Sequence, residues 1–318
     1  MTTPSASVKP KKEKRNSPNW KSEVGFLLLH LAPVLAIFSG ATMFDWLLCI
    51  GLYFFRMFFI TAGYHRYFSH RTFKTTRWFQ FLLAFFAQTS IQKGALWWAA
   101  NHRTHHKFSD TEKDPHSNKV YGFLYSHIGW ILGPDYKKTR TDLIKDFAKY
   151  PELVWLNKNH LFPPLIMILF VIGFGGWINY SLYDVSFFTG AWSALFIGFA
   201  LSTVILFHGT FSINSLMHKV GKPRYETGDE SKNSLVLALV TMGEGWHNNH
   251  HYYQSSTRQG FFWWELDPTY YILKFFSFFG IVWNINKVPY HIKFSKNLED
   301  AKRILNSFKS KKKESTVE

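Results

Sequence analysis

Histidines recur in this chain at spacings that would let them bind metal together. Nine of the 15 histidines fall in four short patterns, HRYFSH, HRTHH, NSLMH and HNNHH. The nine are His65, His70, His102, His105, His106, His218, His247, His250 and His251. Residues i, i+3 and i+4 of a helix share one face, so each H-x-x-H-H pattern can direct three imidazoles at one point. The spacing therefore predicts a metal site.

The type and number of these ligands narrow the choice of metal. Imidazole suits zinc, copper, iron and nickel, and nine imidazoles exceed what one centre can hold, so two ions are implied. The chain lacks the H-E-x-x-H motif of zinc hydrolases and the carboxylate-rich di-iron pattern with a Glu-x-x-His motif on each of two helices. Its single cysteine, Cys49, rules out a thiolate cluster. A nitrogen-ligated di-iron centre accounts best for the pattern.

Ligand histidines usually donate their second ring N–H to a carboxylate or a carbonyl. Three acidic residues lie close to the boxes in sequence, namely Asp110, Asp114 and Glu244. We regard them as candidate partners of the ligand histidines, although each also suits an ordinary loop or helix cap.

Four apolar stretches are long enough to cross a membrane, which takes about 20 residues of helix. They are residues 25–43, 46–64, 162–180 and 187–207. A fifth stretch, residues 78–91, is shorter, contains two glutamines and is predicted to lie at the membrane surface. The predicted fold is an all-α integral membrane protein, with four transmembrane helices in two hairpins and a cytoplasmic helical cap that carries the histidine boxes.

Basic residues indicate how the chain is oriented. The formal net charge is +16, yet the turns inside the two hairpins, Phe44–Asp45 and Ser181–Ser186, contain no Lys or Arg. By the positive-inside rule both termini and the central loop face the cytoplasm. Because the basic residues flank membrane segments, membrane lipids are the expected partners and nucleic acid is not. The expected boundaries are basic tails at residues 1–24 and 286–318 and a membrane domain at 25–285.

Arg56 is a charged residue inside a predicted span. Such a charge is costly and usually faces the protein interior or water. Arg56 precedes His65 by about 13 Å along a helix. We expect it to point inward to a polar group near the metals or near an apolar substrate channel; the alternative is that it extends to the membrane surface.

The boxes H-x4-H, H-x2-H-H, N-x3-H and H-x2-H-H, in this order, resemble those of the integral-membrane fatty acyl desaturases, specifically the stearoyl-CoA (delta-9) desaturase family. The likeness includes TAGYHRYFSHR, HRTHHKFSDTEKDPHS, YSHIGW and GEGWHNNHH and spans roughly residues 65–253. It implies two iron ions (Fe2+) held by nine histidines. It also implies that O2 serves as oxidant and that a cis double bond, at the delta-9 position, is inserted into a saturated acyl chain.

The resemblance also implies which residues bind each iron. One iron would be held by His65, His70, His102, His106 and His251. The other would be held by His105, His218, His247 and His250, with Asn214 bound through water. His116 and His127 match family text without being ligands there, and His30, His160, His208 and His291 are expected to be structural.

The substrate is expected to be an acyl chain on coenzyme A, or else on a membrane lipid. Animal acyl-CoA enzymes carry an Arg-Asp pair before the second box and an Arg-Lys pair after the Gly-Trp motif. This chain has Ala100–Asn101 and Gly133–Pro134–Asp135 there, and Phe211 in place of a tryptophan. Lys137, Lys138 and Arg140 offer replacement charge.

The WAANHRTHH text looks closer to bacterial members of the family, which favours a bacterial cytoplasmic membrane over the endoplasmic reticulum. No fused electron-transfer domain is expected, so electrons must come from a separate haem or iron–sulfur carrier with its reductase. Two other functions remain open. A hydroxylase of alkane, sterol or lipid would share the centre, and a protein that stores, moves or senses metal would bind it without consuming O2.

Overall fold

The computed structural model describes residues 23–38 and 40–314, so residues 1–22 of the predicted N-terminal tail lie outside the described part. The described part is mostly helical. Its helices are α1 Val24–Leu35, α2 Met43–Phe59, α3 Arg77–Gln88, α4 Ala95–Phe108, α5 Asn118–Tyr121, α6 Trp130–Leu132, α7 Lys145–Ala148, α8 Pro151–Lys158, α9 Phe162–Tyr183, α10 Phe187–Ser193, α11 Ser202–Ser215, α12 Leu235–Val240, α13 His247–Tyr252, α14 Pro268–Phe278, α15 Tyr290–Lys293 and α16 Leu298–Glu314. The strands β1 Lys74–Thr75 and β2 Val282–Trp283 pair antiparallel. π-Helical segments span Ile60–Ser69, Tyr125–Gly129 and Ala194–Leu201, and 3-10 turns span Ala36–Phe38, Thr141–Leu143 and Leu216–His218.

Three continuous helices in the described residues are long and apolar enough to cross a membrane: Met43–Ser69, Phe162–Tyr183 and Phe187–His218. They match three of the predicted spans. The first and the third continue past the predicted ends through a π-helical segment and a 3-10 turn, respectively. As a result, the first histidine box and His218 lie on direct extensions of two spans.

The predicted span at residues 25–43 is not confirmed. Helix α1 has only 12 residues, or about 18 Å at 1.5 Å per residue, which is well short of a hydrocarbon core of about 30 Å. Pro33 lies inside this helix and has no N–H to donate. Gly40, with a φ of 65°, then turns the chain toward α2.

Small residues allow α9 and α10 to pack closely. A Cβ atom on Gly190 would lie 2.3 Å from the Cβ of Asn179, and one on Gly175 would lie 2.3 Å from the Cβ of Ala194. Neither distance is possible for a larger residue without moving the backbone. Close helix approach through small residues is typical of membrane helices.

This close packing completes a buried polar cluster at the start of α2. The Asp45 carboxylate accepts from the Thr42 backbone N–H at 2.9 Å, from Asn179 Nδ2 at 2.9 Å and from Ser193 Oγ at 2.7 Å. Thr42 Oγ1 lies 2.6 Å from Asn179 Oδ1. We call these four residues the hairpin cluster, since they join the start of α2 to the turn between α9 and α10.

Arg56 is fully buried in α2. Its Nη1 donates to Thr203 Oγ1 and its Nη2 to Ser202 Oγ, both at 2.6 Å, while Nε donates to the Leu52 carbonyl at 3.1 Å. The guanidinium also lies 5.1 Å from the centroid of the Phe199 ring. The prediction that Arg56 points inward to a polar group is confirmed, and the polar group is a pair of α11 hydroxyls. These hydroxyls do not line the cavity, so the expected position near the metals or the substrate channel is not confirmed.

The segments outside the spans, residues 70–161 and 219–314, are called the cap below. Helices α3 and α4 of the cap pack against the π-helical end of the first span through a common apolar core. Ile292 of α15 and Ala301 of α16 pack with Tyr225, Tyr252 and Phe261. Residues from the predicted C-terminal basic tail therefore contribute to the packing beside the last histidine box.

Candidate metal centre

Two groups of histidine side chains converge where the spans meet the cap. Within each group, one ring nitrogen from every histidine lies within 4.8 Å of the corresponding nitrogens of the others. The five-histidine group is His65, His70, His102, His106 and His250, and the four-histidine group is His105, His218, His247 and His251. The structure thus brings together all nine histidines that the sequence analysis selected.

His65 and His70 are five residues apart, a spacing that a regular α-helix would not place on one face. The segment Ile60–Ser69 is π-helical, and the His70 N–H donates to the His65 carbonyl at 3.2 Å. A π-helix pairs residues i and i+5 and so aligns these two side chains. The five-residue spacing predicts a helix end at this point, and the helix does end at its C-cap, His70. The π-helical register before that end aligns the two rings.

Helix α4 divides its three histidines between the groups. His102 and His106, which are four residues apart, join the five-histidine group, and His105 joins the other group. The expectation that one H-x-x-H-H pattern directs all three imidazoles at one point is therefore wrong, because adjacent helical residues point roughly 100° apart and His105 and His106 turn to different groups. The ligand assignment implied by the resemblance agrees with this arrangement.

Helix α13 follows the same rule and corrects that assignment at two positions. His247 and His251, again four residues apart, lie in the four-histidine group, with ring centroids 4.3 Å apart. His250 points the other way into the five-histidine group. The expected assignment of His251 to the first set and His250 to the second is therefore wrong, because in this helix His251, and not His250, lies in the same group as His247.

Hydrogen bonding alone cannot satisfy the five-histidine group. Its Nε2 atoms form a chain of contacts at 2.9–3.0 Å that runs His70, His102, His106, His250, His65. Each Nε2 holds either a proton or a lone pair, so an atom with two neighbours can hydrogen-bond to only one of them. A single cation among the five would accept all the lone pairs at once. The donor set therefore fits a metal ion that prefers imidazole.

Burial keeps these rings in the form that binds metal. The pKa values lie well below the ordinary histidine value for His70, His102, His106 and His250, because of burial first and of neighbouring histidines second. In the four-histidine group, burial likewise lowers the pKa of His247, and that of His251 to about 4. A neutral imidazole offers its lone pair to a metal without first losing a proton.

Carboxylates contact the four-histidine group from outside. The Nδ1–carboxylate pairs are His105–Asp114 at 3.0 Å, His218–Asp110 at 3.4 Å and His251–Asp229 at 2.6 Å. Burial would raise the pKa values of Asp114 and Asp229, but their histidine partners hold both below the ordinary value. Burial would lower the pKa of His105, but the charge of Asp114 raises it.

Among the described residues, one carboxylate pairs with the five-histidine group, and that carboxylate is shared with an arginine. Glu244 Oε2 lies 2.5 Å from His65 Nδ1, and Glu244 Oε1 lies 3.2 Å from Arg66 Nη2. Arg66 Nη1 also lies 2.9 Å from Asp267. Burial would raise the pKa of Glu244, but His65 and Arg66 hold it below the ordinary value. This buried network joins the first box to the loop before the last box.

A partly open cavity adjoins both histidine groups. Phe, Trp and Met of the second and fourth predicted spans are the side chains that the sequence suggests for the lining. The second predicted span contributes Ile60 and Thr61, the fourth contributes none, Phe211 comes from the extension of that helix beyond residue 207, and the tryptophans come from the cap. The lining residues are Ile60, Thr61, His65, Gln92, Trp97, Trp98, Asn101, His102, His105, His116, Trp130, Ile131, Thr210, Phe211, Ile213, Asn214, Glu244 and His247. Asn214 is placed beside the four-histidine group, and its contact through water stays a prediction.

The three acidic partners named from the sequence all contact group histidines, whereas Asp229 and Arg66 were missed. Asp229 lies in an irregular loop 22 residues before His251, so no helical spacing links the two. Arg66 directly follows His65, and its place inside the first box was an available signal. A buried arginine beside a ligand needs a carboxylate, which Glu244 and Asp267 supply.

The remaining histidines lie outside the two groups. His116 comes nearest, with its ring centroid 4.3 Å from that of His105, and with His105 and Asp114 it forms a third possible set of ligands. Burial first and the His105 charge second lower the pKa of His116 to about 3. His127 Nε2 lies 3.0 Å from His208 Nδ1, a contact separate from the two groups.

Comparison with known proteins agrees with the resemblance seen in the histidine boxes. The sequence profile of the fatty acid desaturase family matches residues 41–285. The chain is similar to the sn-1 stearoyl-lipid 9-desaturase of Synechocystis sp., with 34% identity over 279 residues that cover 86% of this chain and 82% of that protein. It is 37% identical over 233 residues to the Delta-9 desaturase-like 2 protein of Arabidopsis thaliana, and these residues cover 72% of each chain. It is 32% identical over 283 residues to the icosanoyl-CoA 5-desaturase of Limnanthes douglasii, which covers 87% of this chain and 75% of that protein. The chain therefore belongs to the fatty acid desaturase family of oxidoreductases.

Proposed function

We propose that this protein uses O2 to insert a cis delta-9 double bond into a saturated acyl chain, at a centre of two irons held by the two histidine groups. One observation carries the proposal. Two convergent groups of buried imidazoles adjoin a single cavity whose lining is largely aromatic and aliphatic. Family membership supplies the reaction class, and two of the similar proteins named above carry the delta-9 position in their names.

Iron bound by these groups would supply the oxidising power needed to remove hydrogen from an unactivated methylene. The residues of the chain position the reactants. Trp98 stacks on His102, with ring centroids 4.9 Å apart at 21°, and so fixes one ligand ring beside the cavity. The apolar lining holds the acyl chain and limits water. O2 is reduced to water by electrons from the two C–H bonds that break and from a separate haem or iron–sulfur carrier with its reductase.

Acyl-CoA is the first candidate substrate. Trp97 lines the cavity, Lys93 Nζ lies 5.1 Å from its ring centroid, and Trp97 Nε1 donates to the Tyr136 carbonyl. The basic loop that begins at Lys137 therefore follows directly from a residue in contact with the cavity lining. These cations are suited to the phosphates of coenzyme A.

A lipid-linked acyl chain is the second candidate. No lysine or arginine lies among the cavity-lining residues in the described part of the chain. The Synechocystis protein is named for a lipid-linked substrate. A substrate that enters from the bilayer would need no cationic site for a head group.

We further propose that the membrane is a bacterial cytoplasmic membrane and that both termini face the cytoplasm. Helix α1 would complete the membrane domain as a short fourth membrane-embedded segment. Its exposed leucines, Leu28 and Leu31, support this placement. Exposed apolar side chains beside long apolar helices suit contact with lipid.

The test is expression in a host that lacks its own desaturase, with isotopically labelled stearate supplied and fatty acids analysed by mass spectrometry. A labelled monounsaturated chain with the double bond at carbon 9 is expected. The matched control is His247→Ala, which should give only saturated chains. A hydroxy acid would contradict the proposal in favour of a hydroxylase, and metal binding without O2 consumption would contradict an enzymatic role.

The purified protein distinguishes the two candidate substrates. It would receive labelled stearoyl-CoA in one arm and vesicles of labelled stearoyl phospholipid in the other, with the same electron-donor system. Faster product formation from stearoyl-CoA supports the first candidate. Product from the vesicles alone excludes it.

A further inference from the structure

The two histidine groups differ in the charge that surrounds them. In the four-histidine group, three of the four Nδ1 atoms face a carboxylate within 3.4 Å. In the five-histidine group, His65 alone faces one. Among the described residues, the Nδ1 atoms of His106 and His250 have no hydrogen-bond partner, and in the four-histidine group the same holds for His247 and for His218, whose contact with Asp110 is an ion-pair distance only. The group with fewer imidazoles therefore has more carboxylates.

The carboxylates beside the four-histidine group differ from Glu244 in the partners that balance their negative charge. Glu244 shares its charge with Arg66. Asp110 and Asp229 form no ion pair with lysine or arginine in the part of the chain that the structure describes, and their contacts are with histidines and with neutral donors. Asp110 accepts from the Glu230 backbone N–H at 2.7 Å, and Asp229 accepts from the Ser231 backbone N–H at 3.0 Å. The negative charge around the four-histidine group is thus held in place and directed at its rings.

We propose that Asp110, Asp114 and Asp229 are positioning residues dedicated to the metal of the four-histidine group, where their carboxylates make up for the fifth imidazole that this group lacks. A carboxylate that accepts the Nδ1 proton fixes the ring orientation and makes Nε2 a stronger donor. Removing such a partner typically weakens metal binding by roughly 10–100-fold. This inference rests on the proposed function, because it takes the nine histidines to be metal ligands.

The three acids should differ in effect. The His251–Asp229 contact is short at 2.6 Å and the His105–Asp114 contact is ordinary at 3.0 Å. His218 Nδ1 lies 3.4 Å from Asp110, which is long for a hydrogen bond. Asp229 should therefore matter most to its site and Asp110 least.

The experiment measures iron bound to each site separately. Full-length protein in detergent is stripped with a chelator and titrated anaerobically with Fe2+, and iron per chain is measured at graded free Fe2+. His70→Ala/His106→Ala disables the five-histidine group, and His218→Ala/His247→Ala disables the other. Asp229→Asn, which keeps the side-chain shape, is added to wild type and to each double variant.

Asp229→Asn should raise the dissociation constant roughly 10–100-fold where only the four-histidine group remains. It should leave the constant unchanged where only the five-histidine group remains, and Glu244→Gln should show the reverse. Asp229→Glu, which keeps a carboxylate, should recover part of the affinity. Asp45→Asn, a buried acid in the hairpin cluster, should alter neither site.

If Asp229→Asn weakens both sites equally, or neither, the inference is overturned while the proposed function stands. Wild-type protein that fails to take up two irons per chain, or that makes no unsaturated product once loaded, overturns the proposed function itself. Should Asp229→Asn fail to fold, Asp114→Asn provides the same comparison at the His105–Asp114 pair.

Discussion

The first span carries a buried polar cluster at each end, and the two clusters satisfy their polar atoms in opposite ways. Asp45, at the start of α2, accepts hydrogen bonds from a backbone N–H, an amide and a hydroxyl. His65, roughly 30 Å further along the helix, lies among imidazole nitrogens that cannot all hydrogen-bond to one another. The Asp45 carboxylate finds its donors within the chain, whereas the Nε2 atoms around His65 cannot all pair with one another.

This difference separates the residues that hold the fold from those that serve the reaction. A buried polar group costs free energy unless it finds a partner. The hairpin cluster supplies its own partners and so stabilises the helix contacts without help. The five-histidine group cannot be satisfied by hydrogen bonds among its own rings, and a bound cation would satisfy it. A polar cluster that needs something from outside the chain indicates function, and one that is complete indicates structure.

The largest effect is expected at the histidine end. His106→Ala removes an Nε2 that contacts two other group nitrogens, at 2.9 Å each. Double-bond formation should fall by more than the roughly 10–100-fold typical of an outer partner. Product analysis by mass spectrometry and iron per purified chain measure the two losses. Yield and melting temperature should change little. Full activity of a variant that binds one iron fewer would contradict the distinction between the structural cluster at Asp45 and the functional one at His65.

A smaller effect, on stability alone, is expected at the other end. Asp45→Ala removes the charged acceptor of the Asn179 amide and the Ser193 hydroxyl in a buried site, and leaves them only their longer contacts with backbone carbonyls. The free energy of unfolding should fall by roughly 1–3 kcal/mol. Thermal unfolding followed by tryptophan fluorescence measures this change. Iron content and product formed per folded chain should match wild type, and a selective loss of iron would show that the clusters are coupled.

Much of the metal centre could be predicted from the sequence because its ligands lie at helical spacing. His102 and His106, four residues apart, share a face in any α-helix. Asp110 and Asp114 follow α4 so closely that they remain near its end. The three long spans were recognisable because each is a long apolar run. Local spacing and composition were sufficient in these places.

The other features of the fold and of the candidate site could not be predicted from the sequence. They depend on contacts between distant segments or on backbone conformations that leave no pattern in the sequence. The π-helical register that aligns His65 with His70 has no simple composition signal. Asp229 reaches His251 across an irregular loop, so its role needs the tertiary fold. The placement of His250 and His251 also needs the tertiary fold, because residues three and four apart share a helix face and spacing alone does not decide which of the two joins His247. Helix α1 ends at Leu35, before the predicted span does, and the chain then turns at Gly40.

Arg56 lies between the two clusters and gives the smallest expected effect and the finest test of the comparison. A buried charge in a span suggests function by default. Yet its partners are Ser202 and Thr203, neither of which lines the cavity, so the contacts place Arg56 with the structural polar groups. Arg56→Leu removes the buried charge, so no hydrogen-bond acceptors are needed to stabilise it. Arg56→Lys keeps a buried charge that lacks the planar fork needed to reach both hydroxyls.

The lysine variant should therefore be less stable than the leucine variant, by roughly 1–2 kcal/mol. Turnover per folded chain should be close to wild type in both. Paired melting curves and product analysis give the two readouts, with Arg303→Leu at an exposed position of α16 as the matched control for loss of a cation. Loss of turnover in Arg56→Leu at unchanged stability would show that Arg56 serves the reaction. It would also show that a complete set of hydrogen bonds does not by itself identify a residue as structural.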